Sequence, residues 1–328
     1  MKKDQQQDKD NYLHTLHVFR GQGELLNDEV RNRAFWSAIR KHVRPGYSVL
    51  DIGSGTGIWA IAAALSGADR VVAVERDALL IPIIKNNLKE NGVSDRVEVV
   101  HANSRRLKLN ERFDLIVSET IGNQAFEEGI VPIMKDARER FLKPGGVLIP
   151  SQVAFVAAAA HFENDLKESP AGVSMKYSYF QSLNLNVPLV LTNKSGLKII
   201  SSPKHLTRVD LNQANQSPDL SNLTAQWKYT DAARVNCFAV WAEVTLGRGV
   251  KISTLKTSSW SPVIYSIKPF KQSRGNLEFT LNMTQETHYW SAALSSRHEK
   301  EMHSYSPVFA YTSLMTHIKM AEAFTRKK

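Results

Sequence analysis

Glu119 and Glu128 stand nine residues apart, in a loop that opens Ser118-Glu119-Thr120-Ile121-Gly122 directly after an apolar run, Phe113 to Val117, that reads as a buried strand. Two carboxylates at the carboxyl end of a sheet strand suit a cationic ligand, because open α/β sheets bind their ligands at that end. Earlier, a strand-like run ending at Asp51-Ile52 continues as Gly53-Ser54-Gly55-Thr56-Gly57 into a helical pattern. Such a turn lets the backbone approach a ligand and aims a helix N-terminus at it. Its G-x-G-x-G spacing departs from the G-x-G-x-x-G of dinucleotide folds, and the leading acid suits the ammonium of S-adenosyl-L-methionine better than a pyrophosphate. Glu75, at the end of the next strand, can accept both ribose hydroxyls. Asn103-Ser104, after the third strand, stand where adenine would be contacted.

The carboxylate pair defines the chemistry. A guanidinium keeps its proton, with a pKa above ~12, so its nitrogens are poor nucleophiles until charge is drawn away from the attacking one. Two carboxylates in bidentate contact hold the plane of the group and draw positive charge to the nitrogens they bind. The remaining nitrogen is left in line with a sulfonium methyl, and orientation of this kind is worth up to ~7–11 kcal/mol. Glu119 and Glu128 are therefore the candidate catalytic residues. Glu127 is expected to point away from the site as a bystander.

The elements that must position these groups alternate in type. Ser48–Ile52, Val71–Glu75, Val97–Val100, Phe113–Val117 and Val147–Ile149 read as strands; Ile58–Leu65, Ala78–Asn91 and Gly129–Leu142 read as helices. That is α/β, a doubly wound Rossmann-like parallel sheet. Upstream, Glu24–His42 has helical spacing with an apolar face of Leu25, Leu26, Val30, Ala34 and Ile39, expected to pack over the cofactor end. After Pro150 short strands follow, broken by Asn, Ser, Pro and Gly: 196–200, 223–229, 234–246, 263–267, 277–284 and 289–294. They read as a β-barrel or sandwich domain. The expected division is 1–46, an N-terminal helical segment; 47–150, the S-adenosylmethionine-binding domain; and 151–328, the β-barrel-like domain. Phe162–Asn186 reads as an insertion and Thr316–Lys328 as a short helix with a basic tail.

Composition narrows the class. The chain has 328 residues, 42% of them hydrophobic and 23% charged, as ordinary globular proteins do. Its net charge is +10, with an excess of +2 in residues 1–150 and +8 in 151–328. No long basic block with interleaved aromatics is present, so a nucleic-acid partner is not expected and scattered solvated lysines are. Met1–Asn11 has no apolar core of a signal peptide, and the longest apolar run, Val153–Ala160, is too short to span a bilayer. No membrane partner is expected. The single cysteine, Cys237, reads as a small buried apolar residue and fits a reducing cytoplasm. The ten histidines are scattered without ligand-spaced acids, so no metal is expected.

With these residues in view, the chain resembles the protein arginine methyltransferase family, from about Tyr12 to Pro150 with good motifs and more faintly to about Leu294. Val49–Ile58, VLDIGSGTGI, resembles the family's first motif; Ser118, Glu119, Gly122 and Glu128 match its double-glutamate loop; Lys143-Pro144-Gly145-Gly146 resembles its closing turn. Asp28-Glu29-Val30-Arg31 matches an Asp-x-x-Arg helix, and the resemblance implies that Arg31 binds the methionine carboxylate and places Asp28 toward the substrate. It makes Val74-Glu75 the ribose position, Tyr12 the retained half of an N-terminal aromatic pair, and Ser259-Trp260 part of a substrate loop matching Thr-His-Trp. It also implies a dimerisation arm near 162–186 and a possible homodimer.

The chain departs from that pattern at defined places. Thr120-Ile121 replaces Trp-Met and Asn123 an aromatic; Leu16 stands at the second aromatic position; Arg105 stands where a Glu meets adenine; Ser259 replaces the His. Thr287-His288-Tyr289-Trp290 is a superficial second match to the substrate loop, on a later strand. These changes leave the cofactor site and the carboxylate clamp and alter the walls around the acceptor. A sequence pI near 9.5 disfavours basic Arg-Gly tails and favours an acceptor with its own acid: free arginine, a less basic peptide or an acidic protein. The expected activity is S-adenosylmethionine-dependent methyl transfer to a guanidino nitrogen of arginine. The alternatives left open are a methyltransferase for a lysine or another small metabolite, and a catalytically silent binding protein. A base methyltransferase lacks its Asn/Asp-Pro-Pro-aromatic run here.

Overall fold

The computed structural model describes residues 2–163, 178–283 and 288–307. By packing, the chain divides into one unit of Met1–Ala154, Arg208–Ser217 and Ala242–Ser261, and a second of Phe155–Thr207, Pro218–Trp241 and Pro262–Lys328.

In the first unit, α1 (Lys2–Leu26) and α2 (Glu29–His42) precede β1 (Ser48–Ile52), α3 (Ile58–Leu65), β2 (Arg70–Glu75), α4 (Leu80–Glu90), β3 (Val97–His101), β4 (Phe113–Ser118), α5 (Ile130–Phe141) and β5 (Leu142–Ile149). The strands form one parallel sheet in the order β3-β2-β1-β4-β5. Val49, Leu50, Val72, Ala73, Leu115 and Ile116 have no exposed surface, as expected for a sheet covered on both faces. The order reverses between β1 and β4, and Ile52 is in register with both Val74 and Ser118. The glycine turn after β1, Glu75 and the Glu119 loop therefore leave the sheet at one level, at its switch point.

The helical reading of Glu24–His42 is corrected here. The stretch breaks at Asn27-Asp28, because Asp28 serves as the N-cap of α2, its side chain accepting from Arg31 N at 3.0 Å. The break resets the helical phase. The buried face of α2 is Arg31, Phe35, Ala38 and Ile39, while Leu26 and Val30 are exposed.

In the second unit the strands are antiparallel. One sheet runs β7 (Leu189–Val190), β13 (Val263–Ser266), β11 (Cys237–Gly247), β6 (Gln152–Phe162) and β8 (Leu197–Ile199), of which Phe155 onward in β6 and up to Trp241 in β11 belong to this unit. β9 (Lys204–Asp210) pairs with β6, and β12 (Val250–Ser253), in the first unit, with the end of β11. A four-stranded sheet follows, β10 (Leu223–Tyr229), β14 (Gly275–Met283), β15 (His288–Ser295) and β16 (Lys300–Tyr305) in that order. Its core is aromatic: Phe238 stacks on Phe279 at 4.3 Å, and Tyr265 meets Trp290 edge-on at 5.2 Å. Cys237 is buried there, and loss of hydration pushes its thiol up to about 12. α6 (Ser178–Asn184) lies within the stretch 162–186 read as an arm; residues 164–177 of that stretch, Thr287 and the expected helix 316–328 lie outside the described residues. Among the described residues no helix is long and apolar enough to cross a membrane.

Candidate active site

A cavity of about 940 Å³ opens in the first unit. Its floor is the glycine turn, its sides are the Glu119 loop and the segment after β3, and the second half of α1 crosses it from His17 to Leu26. Gly53, Gly55 and Gly57 have φ of +72°, +58° and +85°, a region that costs other residues strain. At Gly55 the need is doubly clear, since an added Cβ would lie 2.8 Å from Gln22 Oε1 of α1.

Glu75 reaches the same wall. Its Oε2 accepts from Gly55 N at 2.9 Å, and its Oε1 from Arg76 N at 2.7 Å and Asp77 N at 2.8 Å. Asp51 lies beneath the turn, fully buried and outside the cavity lining. Its Oδ2 accepts from Ala60 N at 3.1 Å and its Oδ1 has no partner among the described residues. Burial pushes the Asp51 carboxyl up to about 7, against hydrogen bonds from Ser54 and Ala60. Asn103 and Ser104 line the side, where Asn103 Oδ1 accepts from Arg105 N at 3.0 Å and shapes the turn.

Arg31 and Glu119 meet in the cavity wall. Nη1 of Arg31 donates to Glu119 Oε2, while Nη2 donates to Leu25 O at 2.8 Å and Asn32 Oδ1 at 2.9 Å. The guanidinium lies 5.5 Å from the centre of the Trp59 ring, itself stacked on Phe35. Its Nε is buried without a partner among the described residues. Burial pushes Glu119 up to about 7; Arg31 pulls it down and Glu128 adds to the rise. Glu128 lines the same cavity, keeps an exposed face, and is raised by partial loss of hydration and then by Glu127. Glu127 is more than a bystander: its Oε1 accepts from Asn123 N at 2.5 Å and Gln124 N at 3.2 Å and so braces the loop.

The remaining candidates separate. Trp260 and Ser259 line the cavity. Asp28 is fully buried, and its Oδ2 accepts from Ser258 N at 3.0 Å, Ser259 N at 2.8 Å and Ser259 Oγ at 2.6 Å. Burial alone would raise Asp28, but these bonds and the one from Arg31 N hold it below the usual carboxylate range. Both its oxygens are thus engaged in holding the Ser258-Ser259 segment to the start of α2. The same segment is tied to the Glu119 loop, since Asn123 Oδ1 accepts from Ser261 N at 2.7 Å. Tyr12 is 62% exposed and does not line the cavity. Gln22 and Asn123 went unread in the sequence: Gln22 carries no motif, and Asn123 was legible only as a missing aromatic.

The cavity presents Arg31 to a ligand carboxylate and Glu75 to ligand hydroxyls. Its volume lies within the usual ~300–1,000 Å³ of ligand sites.

Known proteins share stretches of this sequence and its fold. The profile of the ribosomal protein L11 methyltransferase (PrmA) family matches residues 35–155, the stretch that builds the parallel sheet. A Streptomyces achromogenes subsp. streptozoticus protein named arginine N(omega)-methyltransferase is 30% identical over 237 residues, 70% of this chain and 65% of that protein. Protein arginine N-methyltransferase 6 of Xenopus laevis is 28% identical over 279 residues, 80% of each chain. A probable protein arginine N-methyltransferase 6.2 of Oryza sativa subsp. indica is 28% identical, and the match covers 62% of it. The chain thus spans a little over three-fifths of the first of these curated relatives. Among solved structures, Arabidopsis thaliana protein arginine methyltransferase 10 superposes with a TM-score of 0.71 at 23% identity, covering 87% of this chain and 97% of that one. The Trypanosoma brucei PRMT1 enzyme-prozyme heterotetrameric complex with AdoHcy gives 0.71 at 20%, covering 86% and 96%. Both share the parallel-sheet and antiparallel-sheet fold, and in sequence the chain is similar to arginine N-methyltransferases over most of its length.

Proposed function

We propose that the protein transfers a methyl group from S-adenosylmethionine to a guanidino nitrogen of arginine, presented by a protein, by a peptide or as the free amino acid. The observation that carries this reading is that Glu119 already holds a guanidinium, that of Arg31, in the cavity wall it shares with the glycine turn and Glu128. A site built to seat one guanidinium can seat another.

Gly53, Gly55 and Gly57 would admit the cofactor to the backbone, Glu75 would accept its ribose hydroxyls, Ser104 would face its adenine and Arg31 its carboxylate. Asp51 would hold the turn from beneath. When bound, S-adenosylmethionine supplies an electrophilic methyl group on a sulfonium. Glu119 and Glu128, as carboxylates, would grip two nitrogens of the acceptor, fix its plane and leave the third free to attack. Glu128, which keeps an exposed face, would pass the released proton to water. Asp28 would act through Ser259 by holding the Trp260 wall. Tyr12 would join the acceptor side only if α1 moved.

A homodimer belongs to the same reading, and the buried thiol of Cys237 fits a cytoplasmic location. The test is transfer from labelled S-adenosylmethionine into protein and small-molecule fractions, followed by acid hydrolysis. Methylarginine in either fraction supports the proposal. A label on a lysine or another non-guanidine atom, or no label where calorimetry still shows cofactor binding, overturns it.

A further inference from the structure

A second cavity, of about 770 Å³, is built only from residues of the second unit. One wall is the segment Ile200–Lys204 and the other is the outer part of β10 with the turn that follows it. The walls are tied together by the aromatic side chains of β10: Trp227 Nε1 donates to Ser202 O at 2.7 Å, and the Tyr229 hydroxyl donates to Ile200 O at 3.1 Å. The groove is therefore set before any ligand arrives.

Its charge is one-sided. Lys204, Lys228 and Arg234 line it against a single carboxylate, Asp231. Arg234 Nε lies 3.7 Å from Asp231 Oδ2, an exposed pair of small worth. Lys204 and Lys228 stand exposed on opposite walls, and neither side chain has a hydrogen bond or ion pair among the described residues. The nearby acid Glu278 is engaged, accepting from Gln226 Nε2 at 2.6 Å. Among the described residues β10 is also an edge strand, so its outer side offers backbone groups to an extended segment.

We propose that this groove docks an extended acidic peptide segment, whose Asp and Glu side chains meet Lys204, Lys228 and Arg234. The charge excess of +8 carried by residues 151–328 favours the same occupant. If the proposed activity holds, the segment belongs to the acceptor protein; the docking itself does not require methyl transfer.

The test is fluorescence anisotropy with a labelled peptide of alternating glutamate and serine on the full chain, without S-adenosylmethionine. Saturable binding that weakens with ionic strength is expected. Lys204→Glu with Lys228→Glu should weaken it about tenfold or more, and the double alanine variant by less. Both variants should keep whatever transfer to free arginine the unsubstituted protein shows, and Glu119→Gln should bind the peptide as the unsubstituted protein does, which separates failure of this proposal from failure of the methyl-transfer reading. The proposal is overturned by absence of saturable binding, by binding indifferent to the charge reversal, or by single-stranded RNA binding more tightly and being lost through the same substitutions.

Discussion

The guanidinium of Arg31 donates to the carboxylate of Glu119 with 2% and 8% of the two side chains exposed, so each charge is neutralised chiefly by the other. Loss of hydration still leaves Glu119 titrating at about 7. Only its ionised form can hold an acceptor guanidinium. The kcat/KM for the acceptor is therefore expected to rise with pH through about 7, measured at saturating cofactor. Arg31→Lys replaces a planar fork by a point charge and should move that rise to higher pH. A rise that stays in place would show that Arg31 does not set the charge of Glu119.

The two glutamates should differ when replaced. Glu119→Gln and Glu128→Gln are each expected to lower transfer at least ~100-fold, since an electrostatic partner of the reacting group is lost. Calorimetric affinity for S-adenosylmethionine should change only a few-fold. Stability separates them. Glu119→Ala strands the buried Arg31 and should cost about 3–5 kcal/mol, whereas the exposed face of Glu128 predicts a change within about 0.5 kcal/mol. Denaturant unfolding of the two variants checks this, and an active Glu119→Gln protein would remove the catalytic assignment.

Ser259 Oγ is one of three donors on Asp28 Oδ2. Ser259→Ala removes that bond and leaves the two backbone donors, a loss of about 1 kcal/mol. Asp28→Ala also removes the N-cap of α2 and leaves several buried N–H groups without an acceptor, so about 2–4 kcal/mol is expected. Because the same segment carries Trp260, Ser259→Ala should raise the acceptor KM more than it lowers kcat. An equal fall in kcat and kcat/KM would instead give Ser259 a role in the transition state.

The parallel sheet was legible because its strands are continuous apolar runs separated by helical spacing; β1 and α3 have the bounds read from the sequence. β9, KHLTRVD, and β16, KEMHSY, were not, because half or more of their residues are charged or polar and their alternation is faint. β6 was visible only as an apolar run, since a strand buried on both sides has no alternation to read. The cofactor turn and the two glutamates announce themselves by spacing along the chain. The Asp28–Ser259 and Asn123–Ser261 ties join residues 231 and 138 positions apart, and no local pattern encodes them.

Asp51 carries a cost of burial that can be read from stability alone. Its carboxyl titrates at about 7 in the folded protein against an ordinary 3.8, because loss of hydration outweighs the bonds from Ser54 and Ala60. Between those two values the folded chain holds a proton that the unfolded chain has released. Stability contributed by this group is therefore full below about 4 and lost as pH rises through about 7, by about 1.4 kcal/mol for each unit of separation at most. Asp51→Asn keeps the acceptor for Ala60 N and removes the titration. Its unfolding free energy should lack that decline, so the variant gains on the unsubstituted protein as pH rises from 4 to 8 in denaturant titrations. Parallel curves would mean that Asp51 is ionised throughout and that its charge is met by a partner beneath the glycine turn.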